Sequence, residues 1–134
     1  MTMTAEQLLN CAIQARERAY APYSRYRVGA ALLGADGTVY TGCNIENAAY
    51  PATVCAERTA LFKAVSEGCR QFSALAVVGG AEEPDSCAYP CGVCRQVLSE
   101  FCPPEMPVYL LDGGHIVKLT LGELLPHSFS AAAF

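Results

Sequence analysis

Charge is scarce in this sequence: only 16% of its 134 residues are charged, and the basic kind is the rarer, nine Lys and Arg against thirteen Asp and Glu, for a formal net charge of −4. Polynucleotide binding demands a basic face to meet phosphates, so the balance argues against a nucleic-acid partner. The one local basic group, Arg16 and Arg18 with Arg25 and Arg27, reads as solvated surface charge. No run of eighteen apolar residues is available to cross a membrane, and the first residues lack the positive segment and apolar core of a secretion signal. Repeats, linkers and low-complexity tracts are missing as well. The two histidines, His115 and His127, stand without ligand-like spacing. What remains is the expectation of one cytoplasmic domain spanning residues 1–134, with no membrane and no nucleic acid among its partners.

What the chain has is apolar side chains, 52% of the total, and eight cysteines. The apolar surplus suits a subunit interface. In a reducing compartment the thiols stay free, and a close C-x-x-C pair then points to metal or redox chemistry rather than a disulfide. Cys11 and Cys43 read as small packing residues, and Cys87 as a loop spectator.

Periodicity orders the elements. Residues 4–19 open with the capping box Thr4-Ala5-Glu6-Gln7 and place Ala5, Leu8, Leu9, Ala12 and Ile13 on one helical face. Strand-like runs 26–33 and 39–44 flank Asp36-Gly37, a hairpin signal. A second helix is expected from near Thr53 to Gly68, with Ala56, Ala60, Leu61, Ala64 and Val65 on its stripe. The run 74–78 reads as a buried central strand. A third helix starts after Pro90 and stops at Pro103-Pro104. Strands 108–111 and 115–119, joined only by Asp112-Gly113-Gly114, must be antiparallel if they pair. The capping box Thr120-Leu121-Gly122-Glu123 opens a last short helix. This order predicts an α/β fold: a mixed sheet covered by helices on both faces, with parallel strand-helix-strand crossings. Ligands in such sheets gather where strand ends meet helix starts, and both cysteine clusters fall there.

The chemistry concentrates in Cys55-Ala56-Glu57-Arg58 and Pro90-Cys91-Gly92-Val93-Cys94. A structural zinc site uses four protein ligands, whereas a hydrolytic one uses three and leaves a position for water. Cys55, Cys91 and Cys94 supply three. Glu57 follows Cys55 too closely to be a comfortable fourth ligand and is better placed as a base beside the open position. Three thiolates would leave a Zn(II) complex with formal charge −1. Two features offset that: Cys55 and Cys91 are expected in the first turns of helices, where the dipole favours thiolate, and Arg58 lies one turn from Cys55, within reach of its sulfur. Asn44 and Glu46, two apart in an extended segment, point the same way. With the metal cluster nearby they read as a clasp for sugar hydroxyls.

These residues resemble the zinc deaminase signature in its three-cysteine form, and the cytidine deaminase family most closely. The resemblance runs from Tyr20-Ala21-Pro22-Tyr23-Ser24 through Val28-Gly29-Ala30-Ala31, the 42–50 run, Cys55 to Ala60 and Pro90 to Gln96, to Glu123-Leu124-Leu125-Pro126. It implies a three-layer α/β/α fold on a five-stranded mixed sheet with the last two strands antiparallel. It further implies a homotetramer with shared sites, one Zn2+ per subunit, and hydrolytic deamination of cytidine and 2'-deoxycytidine to uridine and 2'-deoxyuridine in pyrimidine salvage. Glu57 would be the catalytic acid and base. Asn44 and Glu46 would hold the ribose 3'-hydroxyl, with Asn47 and Ala48 in the same substrate-binding run. The Ala56 backbone N–H would contact the pyrimidine. Tyr50 would line the site across a subunit interface, and Phe129 would stack on the base in a neighbouring subunit. Tyr26 departs from the family's usual phenylalanine near the base.

Three other readings compete. A relative acting on a modified nucleoside such as blasticidin S, or on polynucleotide cytosines, would share the signature; the 44–50 run and the acidic charge favour the free cytidine form. A thioredoxin-like pair would use Cys91 and Cys94 but leave Cys55 and Glu57 unexplained. A zinc-stabilised binding module would need a fourth ligand, from Cys87 or a histidine.

Overall fold

The computed structural model describes residues 3–134. Its elements follow in chain order: α1 (Ala5–Arg16), β1 (Arg27–Gly34), β2 (Val39–Cys43), α2 (Ala56–Ser66), β3 (Phe72–Gly80), α3 (Gly92–Phe101), β4 (Pro107–Asp112), β5 (His115–Thr120) and α4 (Leu121–Leu124), with 3₁₀ turns at Tyr50–Ala52 and Ala131–Ala133.

The five strands form one mixed sheet in the order β2-β1-β3-β4-β5. β1 is antiparallel to both β2 and β3, β3 is parallel to β4, and β4 is antiparallel to β5. β2 therefore runs the same way as β3 with β1 between them, so both strand-helix-strand crossings are parallel, as the element order predicts. In β3 every residue but Ser73 is buried, the pattern of a strand covered on both faces. In the edge strand β5 no residue is buried. Among the described residues no helix is long and apolar enough to cross a membrane.

Alternation along the strands assigns two apolar layers. Ala31, Ala74, Ala76 and Val78 face α1 and meet Leu8, Leu9 and Ala12. Ala30, Leu32, Leu75, Val77, Val108 and Leu110 face the other way and meet Ala56, Ala60, Leu61 and Ala64 of α2, Leu98 of α3, and Leu121 and Leu124 of α4. Each fully buried Leu or Val stabilises the fold by about 1.5–3 kcal/mol relative to exposure. The three-layer α/β/α arrangement follows.

Two glycines set how closely the layers approach. A Cβ at Gly29 would lie 2.1 Å from the Ala12 carbonyl oxygen in α1, and a Cβ at Gly42 would lie 2.5 Å from both the Ala56 carbonyl oxygen and the Ala60 nitrogen in α2. The sheet is pinched between helices at neighbouring points of the β1-β2 ladder, where Gly29 pairs with Cys43 and Ala30 with Gly42.

Helix boundaries differ from expectation at two ends. α1 stops at Arg16, and Glu17, Arg18 and Ala19 continue only as tighter turns bonded to Gln14, Ala15 and Arg16. α2 starts at Ala56 rather than near Thr53, because Val54 exchanges two backbone hydrogen bonds with Ile45 (2.9 and 3.0 Å) and is thereby held extended. Cys55 thus becomes the N-cap of α2, and Cys91 likewise the N-cap of α3, one position before the first turns predicted from sequence.

Candidate active site

The N-termini of α2 and α3 bring the cysteines together. Cys55 and Cys91 cap the two helices and Cys94 lies in the first turn of α3, so the Cys91 sulfur meets a backbone N–H that the helix leaves unpaired. Cys91 Sγ accepts from the Cys94 N–H at 3.5 Å. The three sulfurs lie within 4.8 Å of one another, with Cys55 and Cys91 3.7 Å apart. Tetrahedral zinc with Zn–S bonds of about 2.3 Å places its sulfurs about 3.8 Å apart, so the donor set fits that ion. Cys94 is buried, Cys55 half-buried and Cys91 exposed. Among the described residues no fourth histidine, cysteine or carboxylate joins the cluster.

Charge at the cluster is managed by neighbours. The neighbouring Cys94 thiol and Arg58 Nη2, 3.5 Å from the Cys55 sulfur, together pull the Cys55 thiol down to about 5. Cys94 is pushed up by the Cys55 sulfur beside it and by burial. The Arg58 guanidinium is held in its charged form chiefly by the same sulfur, and its Nε is buried with no partner. Beside them Glu57 is 4% exposed, and burial raises its carboxyl to about 7.

These groups open on a cavity of about 500 Å³. Cys55, Cys91 and Glu57 line one part of it. Ser24, Asn44, Glu46 and Thr53 supply further polar groups, Tyr26, Tyr50 and Tyr89 aromatic ones, and Val28, Ala56, Cys87 and Ala88 complete the wall. The Tyr26 hydroxyl packs over Gly79, where a Cβ would come within 2.7 Å of it and 2.8 Å of Ala88 Cβ. Asn44 is buried and partly committed to the chain: its Oδ1 accepts from Val28 N–H and its Nδ2 donates to the Tyr26 carbonyl, both at 2.8 Å. One lone pair and one N–H remain for a ligand. A larger hollow of about 650 Å³ lies between α1 and the Asp36-Gly37 hairpin, but its lining, which includes Gln7, Asn10, Cys11 and Ser73, contains no charged side chain and no cluster of metal-binding groups.

The cluster and cavity have counterparts in known proteins. The family model for the cytidine and deoxycytidylate deaminase zinc-binding region matches residues 2–110. A cytidine deaminase of Sporosarcina psychrophila is 58% identical over 129 residues, covering 96% of this chain and 93% of the relative. The chain belongs to the cytidine deaminase family. The crystal structure of the cytidine deaminase from Burkholderia pseudomallei superposes with a TM-score of 0.87 at 48% identity, covering 95% of this chain and 100% of that one. A blasticidin-S deaminase of Bacillus cereus is similar at a lower level, 32% identical over 112 residues, 80% of this chain and 79% of the relative. Membership in this zinc-binding deaminase family and the three-cysteine cluster agree on one zinc ion as the cofactor.

Within this cytidine deaminase fold, Tyr26, Asn44, Glu46, Tyr50, Ala56 and Glu57 all line the cavity with Cys55 and Cys91. Asn47, Ala48 and Phe129 lie outside the wall that the single chain forms. Asn47 is instead part of a local turn, its Oδ1 accepting from Ala49 N–H at 2.9 Å and its own N–H donating to Thr53 Oγ1 at 3.1 Å. Phe129 is clasped from α3: Gln96 donates to its carbonyl at 2.7 Å and accepts from its N–H at 3.3 Å. Its ring stays 62% exposed, edge-on to Phe134. The cavity also takes in Ser24, Val28, Thr53, Cys87, Ala88 and Tyr89, none of which has a site role in the sequence reading. For Ser24 a signal existed in the Ala21-Pro22-Tyr23-Ser24 turn.

Proposed function

We propose that the protein hydrolyses cytidine and 2'-deoxycytidine to uridine and 2'-deoxyuridine with release of ammonia, as a cytoplasmic step in pyrimidine salvage. The observation that carries this reading is the convergence of the three-thiol cluster and the buried Glu57 carboxyl on one cavity. Zinc, held by Cys55, Cys91 and Cys94, would supply the Lewis acid that lowers the pKa of water from about 15.7 to about 7.

The chain's own groups do the rest. A carboxyl near 7 can accept and return a proton at neutral pH, which is the role we assign to Glu57: it takes a proton from the attacking water, delivers it to N3, and passes a second to the departing amine. A C–O bond forms at C4 as the C–N bond breaks. Arg58 stabilises the Cys55 thiolate. Asn44 and Glu46 bind sugar hydroxyls, the Ala56 N–H meets the pyrimidine, Tyr26 and Tyr50 border the ring and sugar, and Asn47 and Ala48 hold the run that presents Asn44 and Glu46.

The same reading takes the protein as a homotetramer whose sites are shared. Exposed rings at Tyr50, Phe62, Tyr89, Phe129 and Phe134 support it, and the Gln96 clasp holds Phe129 where a neighbouring subunit can receive it. A free nucleoside, rather than a polynucleotide or a membrane, suits the acidic surface and the small cavity. A modified-nucleoside substrate is disfavoured by the drop from 58% to 32% identity between the two kinds of relative. A binding module is disfavoured by the three-ligand cluster.

The test is ammonia release from cytidine by zinc-replete protein, with Glu57→Ala alongside. Release by the wild type and its loss in the variant, at equal zinc content, is the expected result. No release from folded, zinc-loaded wild type overturns the assignment.

A further inference from the structure

The turn between α1 and β1 is built around a carboxylate that it does not contain. Glu46 is 4% exposed, and three donors from this turn converge on it: Tyr23 N–H at 2.9 Å and Ser24 N–H at 3.1 Å on Oε1, and the Ser24 hydroxyl on Oε2. Ser24 Oγ in turn accepts from Tyr26 N–H at 3.0 Å. The turn is closed by Arg25 N–H on the Ala21 carbonyl, with Arg25 at φ 60, the only residue other than glycine in the left-handed region among those described. An arginine gains nothing from that conformation, and the backbone is strained there. What the geometry achieves is to aim both N–H groups and the hydroxyl at one carboxylate. The run Tyr20 to Ser24 is among the most distinctive of the chain, and the deamination chemistry itself makes no use of it.

An ionised carboxylate has about four acceptor positions. Three are taken, which leaves a fourth on Oε2, and Ser24 and Glu46 both line the cavity. Such a site asks for a donor. C4 and N1 are opposite corners of the pyrimidine ring, so with C4 at Glu57 and the cysteines the sugar extends toward the polar groups that remain. We infer that Ser24 is a positioning residue for sugar recognition: its hydroxyl fixes the Glu46 carboxylate so that Oε2 keeps a single acceptor for the 3'-hydroxyl common to ribose and deoxyribose. The inference rests on the cytidine reading above and extends it to a residue that does not meet the reacting atoms. The three converging donors also hold the Glu46 carboxyl below the usual carboxylate range, the Ser24 hydroxyl contributing most.

The experiment compares cytidine with 3'-deoxycytidine in zinc-loaded wild type, Ser24→Ala and Glu46→Gln. A freed carboxylate loses a charge-assisted orientation, so Ser24→Ala raises KM for cytidine about tenfold with kcat nearly unchanged, and the preference for cytidine over the 3'-deoxy analogue falls by a similar factor. Ser24→Thr, which keeps the hydroxyl, restores both. A merely structural role would lower kcat and weaken both substrates alike. Ser24→Cys, close in size with a weak donor, gives the same reading if the alanine variant does not fold. Collapse of the preference in Glu46→Gln but not in the Ser24 variants overturns the role of Ser24. An unchanged preference in Glu46→Gln overturns the sugar-binding reading itself, and this inference with it.

Discussion

Gly42→Ala and Gly29→Ala offer a paired test of how the sheet positions the site, because they overfill the same sheet on opposite faces. At Gly42 the new methyl would lie 2.5 Å from the Ala56 carbonyl oxygen, 2.5 Å from Ala60 N and 2.9 Å from Thr59 Cβ. Ordinary contact begins near 3.5 Å, and two of the three atoms are backbone, so β2 and α2 must separate by about 1 Å. Overpacking of this kind costs about 1–3 kcal/mol. The helix that moves carries Cys55 at its cap with Glu57 and Arg58 in its first turn, and a 1 Å misplacement of reacting groups costs about 100-fold in rate. At Gly29 the methyl would lie 2.1 Å from Ala12 O and 2.5 Å from Arg16 N, a clash at least as severe, but against α1 on the face away from the site. Urea unfolding should show both variants destabilised. Activity per folded, zinc-loaded molecule should fall about 100-fold in Gly42→Ala and far less in Gly29→Ala. Equal losses, or a Gly42→Ala enzyme of full activity, would refute the claim that the β2-α2 contact sets the geometry of the site.

Two further outcomes follow from the charges. Arg58→Ala removes the guanidinium 3.5 Å from Cys55 Sγ, and zinc affinity measured against a chromophoric chelator should weaken about 10- to 100-fold, with Arg58→Lys recovering part of it; unchanged affinity would count against the charge-balancing role. For Glu46 the folded carboxyl titrates below its unfolded value of about 4.3. Its contribution to stability is therefore present above that value and lost as pH falls through the lower, folded one. The stability gap between wild type and Glu46→Gln, read by urea unfolding from pH 7 to pH 3, should narrow below about pH 4.5, and a gap that widens there would contradict the assignment.

Most of the architecture was legible because two periodicities dominate it. The apolar run in β3, the strand-like runs flanking Asp36-Gly37, and the capping boxes at Thr4 and Thr120 each state their element locally, and both boxes are present with their reciprocal bonds. What was misplaced had long-range causes. No local rule places α2 at Ala56 instead of Thr53; Ile45, nine residues upstream, does so by pairing with Val54. The cysteine triad and Glu57 were legible because spacing and residue type together specify the chemistry. Cys87 and Tyr89 were not assigned to the cavity, since a cysteine or a tyrosine in a loop carries no mark of the wall it will join; the turn at Ser24 was visible, but nothing local ties it to Glu46, 22 residues on. The placement of β1 between β2 and β3, which brings Tyr26 over Gly79, is likewise a property of the folded sheet.

The 3.7 Å approach of Cys55 to Cys91 joins positions 36 residues apart, and the segment between them contains the whole of α2 and β3. Any ion that bridges these sulfurs is therefore also a cross-link, one that closes a loop around the central strand of the sheet. By the chain-entropy argument used for disulfides, fixing a loop of that length removes about 4 kcal/mol of freedom from the unfolded chain. The catalytic cofactor would then double as a fastener. Its withdrawal would slacken the strand that holds β1 and β4 together, so that metal occupancy and resistance to unfolding rise and fall as one property.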